Sequence, residues 1–124
     1  MTLAITQSHW RWIFTQPLIS YKQVEQAIMQ GANVNWNTNN EDATALHRLS
    51  YFGDSSESRC SPQYATDVRI TQLLLQNKAD PWLHDLLHDT PLDLCQGAIE
   101  LRQMLEEAMR ERDPRAWTQR LLQS

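Results

Sequence analysis

The sequence predicts an all-α protein made of repeated helical units, and three observations carry that prediction. One phrase occurs twice along the chain. Apolar residues recur at helical spacing, first at Trp10, Ile13 and Phe14. Only three of the 124 residues are Gly, too few for a β-rich fold with many tight turns. The length suits one domain with a core of its own, and 41% hydrophobic with 21% charged residues is ordinary for a globular chain.

The repeated phrase runs from Val24 to Asn35, with Gly31-Ala32-Asn33-Val34-Asn35 at its end, and is followed by Thr44-Ala45-Leu46-His47. It returns from Ile70 to Pro81, followed by Thr90-Pro91-Leu92-Asp93. Each unit reads as an apolar helix, a small-residue stop, a polar connection and a new helix start. Thr44 and Thr90 suit N-caps, because their hydroxyls can accept from amides of the first turn. Pro91 suits the first helical position, and Thr90 with Asp93 approximates a capping box. Gly31 supplies the left-handed conformation that ends a helix.

Over about residues 21–105 the chain closely resembles the ankyrin family, whose repeat spans ~33 residues. The resemblance implies an all-α solenoid of antiparallel helix pairs with projecting hairpin loops. It also implies that the His47 imidazole ties neighbouring turns together, and that hairpin tips and inward helices form a concave surface for partners. Asp42 and His88 stand where the family usually has Gly; both residue types tolerate positive φ. Lys78 replaces the helix-ending Gly, and Asn77 beside it is expected to take over that role.

In chain order, the expected helices cover residues 7–15, 20 or 21 to 29, 45–51, 67–76, 91–96 and 98–111. A last helix opens at Asp113-Pro114, with Trp117, Leu121 and Leu122 on one side. Grouped by repeat, a single domain divides into residues 5–37, 38–84 and 85–112, with a capping helix at 113–124. Trp10, Trp12 and Trp117 read as core and cap residues. Residues 54–66 interrupt the second repeat with thirteen positions, rich in Ser and polar groups, that read as a surface loop. Two readings of it stand: tolerated length variation, which costs little entropy, or a recognition element on the groove's rim.

A formal net charge of −4 gives no general attraction to nucleic acid or anionic membranes. No apolar run approaches the ~18–20 residues that span a bilayer, and no leader pattern opens the chain, so the expectation is a cytoplasmic protein. Cys60 and Cys95 form no spacing motif and read as thiols in a reducing compartment. The sequence has no Gly-rich phosphate loop, nucleophile elbow or paired carboxylates in a recognisable frame. His47 with Thr44 imitates a base and a nucleophile, yet both belong to the structural motif. His84 and His88, with Asp85 or Asp89, fall short of a tetrahedral metal set. The expectation is therefore no enzyme, no cofactor and no metal.

What remains is binding to another protein, as a monomer or weak dimer. The expected contact residues are Trp36, Asn40 and Glu41 in the first connection, and Trp82, His84, Leu86 and Leu87 in the second. Arg48, Tyr51 and Phe52 border the same surface, and Tyr64 lies in the inserted segment. Leu86 and Leu87 are out of place on a polar tip. With Trp82 they either form a hot spot for a partner or fold back onto the neighbouring connection. Tyr51 and Phe52 likewise either meet a target or pack beneath the insertion. The narrowest functional expectation is a stoichiometric inhibitor or immunity-type protein. A structural adaptor is the alternative, and a small metal-dependent enzyme using His84 and His88 is the remote one.

Overall fold

The computed structural model describes residues 5–53, 62–95 and 98–123, with backbone alone at residues 52 and 53. The first helix, α1 (Gln7–Thr15), starts where the Thr6 hydroxyl accepts from the His9 amide at 3.2 Å. Such a cap is worth ~1 kcal/mol. Trp10, Ile13 and Phe14 recur at i, i+3 and i+4, and all three are buried. Trp12 is 52% exposed, which corrects its expected place in the core. Two residues beyond Trp10, it points to the opposite side of the helix.

Ser20 caps α2 (Tyr21–Met29) by accepting from the Gln23 amide at 3.4 Å. The helix ends in a Schellman turn: Gly31 has φ 95°, its amide donates to Ile28, and the Ala32 amide donates to Ala27. The same pair of bonds ends α4 (Pro62–Gln76), where Lys78 donates to Leu75 and Ala79 donates to Leu74. There Lys78 itself takes the left-handed conformation, φ 69°, correcting the expectation that Asn77 would. Asn77 stays in register, and its side-chain amide donates to the Leu73 carbonyl at 2.8 Å.

Between these lies α3 (Ala45–Gly53). The following helix, α4, begins at Pro62 rather than near residue 67, with proline at the first helical position, where its missing N–H is harmless. The last part of the expected loop at 54–66 is therefore helical, and residues 54–61 lie outside the described part. One short turn, α5 (Pro91–Leu94), stops before the expected end at 96; Thr90 and Asp93 form the full capping box there. Then come α6 (Ile99–Arg112) and α7 (Pro114–Gln123). Among the described residues these seven α-helices are joined by no strand, only an isolated antiparallel bridge between Asn37 and Thr44.

Consecutive helices pair: α1 packs on α2, α3 on α4, and α5 on α6. The second members, α2, α4 and α6, stand side by side as one rank, and α3 and α5 form another. A continuous apolar core fills the space between, including Leu46 and Leu49 of α3, Ile70 and Leu74 of α4, and Leu101 and Leu105 of α6. Arg48 ties α3 to the end of α1. Its Nε donates to the Phe14 carbonyl (2.8 Å) and its Nη2 to the Gln16 carbonyl (3.3 Å), supplying partners for helix-end acceptors.

The last helix, α7, is held differently: it packs on α6 and has no fully buried residue. Trp117 leans on the core, and Arg120 pairs with Asp93 at 2.6 Å. No helix among the described residues is long and apolar enough to cross a membrane.

Candidate partner-binding groove

The connections at residues 36–43 and 82–89, called the first and second fingers below, are built on one hydrogen-bond frame. In the first, Asn39 Oδ1 accepts from the amides of Glu41 (2.8 Å) and Ala43 (3.3 Å). In the second, Asp85 Oδ1 accepts from the amides of Leu87 and Asp89, both at 2.9 Å. These are Asx turns, in which a short polar side chain substitutes for a backbone acceptor. Each finger then passes through one residue of positive φ, Asp42 at 58° and His88 at 64°. At the base, Asn33 Oδ1 accepts from Asn35 and Asp80 Oδ1 accepts from Trp82, each at 2.9 Å.

The frame closes on the next helix in the same way. His47 Nδ1 lies 3.0 Å from the Thr44 amide, and Asp93 Oδ2 lies 2.8 Å from the Thr90 amide. An amide can only donate, so Nδ1 is the unprotonated nitrogen and also accepts from the Thr44 hydroxyl at 2.8 Å. The proton therefore sits on Nε2, which donates to the Asp89 carbonyl at 2.7 Å. That imidazole joins the start of α3 to the end of the second finger. Burial lowers its pKa below 6.5, against opposing contributions from the Asp89 carbonyl and the charges of Asp85 and Asp89. One further bond runs finger to finger, Leu86 N–H to the Glu41 carbonyl (2.9 Å), and another joins the segments just before them, Asp80 N–H to Asn35 Oδ1 (2.7 Å).

Between the fingers and α3 opens a groove of about 330 Å³. Of the sequence-predicted residues, Glu41, Arg48, Tyr51 and Leu87 line it together. Tyr51 and Leu87 are 62% and 75% exposed. Leu86 (59% exposed), Asn40 and His84 are also exposed, though they lie outside the lining. Arg48 enters the groove as a wall residue, because its guanidinium is bonded to the end of α1. Phe52's side chain lies outside the described residues.

The structure revises three of the expected contacts. Trp36 and Trp82 do not project from the fingers: both pack against the core, and Trp82 Nε1 donates to the Met109 carbonyl of α6 at 3.0 Å. An indole is too large and apolar to stand free when a helix offers both surface and an acceptor. Tyr64 is likewise not on a loop. Because α4 starts at Pro62, Tyr64 lies in its first turn, is buried, and donates its hydroxyl to Glu100 of α6. Burial, followed by the Glu100 carboxylate, pushes its pKa up to about 12.

Asn39, Ala43, His47, Asp85 and Leu94 complete the lining and were missed as contact residues. A signal for Leu94 existed: it follows Arg48 at the spacing that separates Thr44 from Thr90, and so occupies the same helix position one unit later. His84 and His88 meet edge to face with ring centroids 6.5 Å apart. Among the described residues no three His, Cys, Asp or Glu side chains converge as a metal set. A second hollow of about 580 Å³, between α5, α6 and α7, is lined by the Arg120–Asp93 ion pair, which joins α7 to α5, and by the Arg102–Glu106 pair within α6. The chain matches no protein-family model, no curated protein and no solved structure.

Proposed function

We propose that the chain is a non-catalytic protein-binding module of the ankyrin-repeat type, and that it holds its partner in the groove between its two fingers. One observation carries this reading: two fingers share a hydrogen-bond frame and differ at their exposed tips. A repeated frame with variable tips lets recognition change without rebuilding the fold. Leu86, Leu87 and Tyr51 leave apolar surface exposed beside the groove, as an interaction site requires. The pairing of helices into two ranks supports the same family reading.

Binding rather than catalysis is favoured by the state of Thr44 and His47. Both imidazole nitrogens are engaged by structural bonds, so the ring is already committed as a brace. Within this proposal the protein acts in the cytoplasm by occupying a partner's surface one to one, as an inhibitor or immunity-type protein does. The test is to capture the partner from native extract on wild-type protein and on Leu87→Asp and Tyr51→Ala. A one-to-one complex by native mass spectrometry, lost in both variants at unchanged helicity, is the expected result. Equal capture by all three proteins would sink the groove as the contact surface.

A structural-subunit reading is favoured by one feature of α7. Leu121 and Leu122 are 56% and 81% exposed on a helix with no fully buried residue. Light scattering separates the two readings: a strict monomer at every concentration removes self-association through this helix.

A further inference from the structure

Resting on that reading, we infer that the partner enters the groove with a short basic–apolar segment, an apolar side chain flanked by Lys or Arg. The groove's volume of about 330 Å³ lies at the low end of the ~300–1,000 Å³ typical of ligand pockets. It therefore has room for one or two side chains of an inserted segment. Tyr51, Leu87 and Leu94 provide the apolar contact. Glu41 and Asp85 stand in the same lining, and Asp42 and Asp89 belong to the same fingers. Neither residues 36–43 nor residues 82–89 contain a Lys or Arg.

Arg48 keeps its positive charge in the same lining, so two carboxylates, Glu41 and Asp85, stand against one guanidinium whose Nε and Nη2 donate elsewhere. Arg48 donates to the Phe14 and Gln16 carbonyls, and Arg11 donates to the Asn37 and Asn40 side-chain oxygens at 3.2 Å each. The Asp85 carboxylate is fixed in place by the two amides it accepts from, so a cationic partner meets an already ordered group. An acidic segment would instead bring like charges together, which interfaces select against strongly. The sign of the partner's charge is thus set by the fingers, while the leucine and tyrosine set its apolar anchor.

The probe is a random-peptide phage library panned on the whole chain at low salt, followed by anisotropy titration of the enriched peptides. Enriched sequences should place Lys or Arg next to an apolar residue. Their affinity should fall roughly tenfold or more in the Glu41→Lys, Asp85→Asn double variant, and fall again as salt is raised. Asn at position 85 keeps the Oδ1 acceptor for the Leu87 and Asp89 amides, and circular dichroism checks the fold. A peptide with Glu in place of its Lys or Arg should recover binding to Glu41→Lys. Neutral or acidic peptides that lose binding to Leu87→Asp would overturn the charge inference and leave the groove reading standing. Peptides indifferent to Leu87→Asp would remove both. An empty selection would overturn capture of a linear segment, while partner capture sensitive to Leu87→Asp would still support the groove.

Discussion

In the first finger the tip reads Asn39-Asn40-Glu41-Asp42, and in the second the matching positions read Asp85-Leu86-Leu87-His88. The outer members of each tip do the same work: an Asx turn at Asn39 and Asp85, and positive φ at Asp42 and His88. The inner pair has changed from polar to apolar. Asn40, Glu41, Leu86 and Leu87 are all exposed, and the link between the fingers uses the backbone of Glu41 and Leu86. The comparison separates positions that build the finger from positions the finger presents. It also isolates a second difference, at the closing residue, which is His47 in one unit and Asp93 in the other.

That closing residue gives the largest expected effect. His47 is 1% exposed, and its loss strands the Thr44 amide and takes one of two donors from the Asp89 carbonyl, which keeps the Asp85 amide. His47→Ala should lower stability by about 2–4 kcal/mol, combining unsatisfied buried polar groups with lost packing. Asp93 is half-buried, and Asp93→Ala should cost about 1–2 kcal/mol through the capping box and the Arg120 pair. Urea midpoints at neutral pH measure both. Equal losses would mean that the bond from Nε2 of α3 to the second finger adds nothing beyond the cap.

The same two residues should divide the acid response. His47 has a folded pKa lowered below 6.5, so the unfolded chain takes up its proton first. Its contribution is complete above pH 6.5 and is lost as pH falls toward the folded value. For Asp93, burial pulls the pKa upward, but bonds from Thr90 and Arg120 outweigh it and hold the carboxyl below 3.8. Its contribution is complete above that value and disappears only at more acid pH. Stability followed against pH should therefore show an upper step removed by His47→Ala and a lower one removed by Asp93→Ala. A wild-type profile that shows no decline as pH falls below 6.5 would contradict the imidazole's neutral, doubly bonded state.

Helix endings provide a third contrast, because Gly31 and Lys78 close identical Schellman turns. A Cβ at position 31 would meet nothing within 4 Å, so Gly31→Ala tests the backbone alone. The penalty of about 1–2 kcal/mol for a left-handed L-residue, less the entropy alanine removes from the unfolded chain, leaves a net cost of about 0.5–1 kcal/mol. Lys78→Gly removes that penalty but frees the unfolded chain, leaving a net gain of about 0.5–1 kcal/mol. Thermal melts of the two variants should move in opposite directions. Movement in the same direction would show that Lys78 has contacts compensating its strain.

Helix positions and the finger frame were legible because both rest on short-range chemistry. Thr90-Pro91-Leu92-Asp93 contains a complete cap within four residues, and the 7–15 helix has its apolar stripe in plain view. The start of α4 was not legible, since Pro62 reads equally as a loop residue or as a first helical residue. The fates of Trp36, Trp82 and Tyr64 depended on acceptors and surfaces offered by distant segments: Met109 lies 27 residues from Trp82, and Glu100 lies 36 from Tyr64. The groove was half legible. Glu41, Arg48, Tyr51 and Leu87 could be read from tip and helix positions, whereas Leu94 required carrying the repeat spacing from Arg48 into the next unit.

The smallest effect on stability should come from exchanging the inner tip pairs, and it is also the most direct test of the division between frame and presentation. Asn40→Leu with Glu41→Leu makes the first tip apolar; Leu86→Asn with Leu87→Glu makes the second polar. All four side chains are exposed, and the bond from the Leu86 amide to the Glu41 carbonyl survives either change because it uses only the backbone. The exposed Arg11–Asn40 contact is the one side-chain bond at stake. Each double variant should therefore stay within about 0.5 kcal/mol of wild type. Partner binding should respond oppositely: the polar second tip abolishes it, because the apolar contact at Leu87 is replaced by a third carboxylate beside Glu41 and Asp85. If instead the second tip's exchange unfolds the protein, the leucines belong to the frame, and their exposure has been misread as recognition.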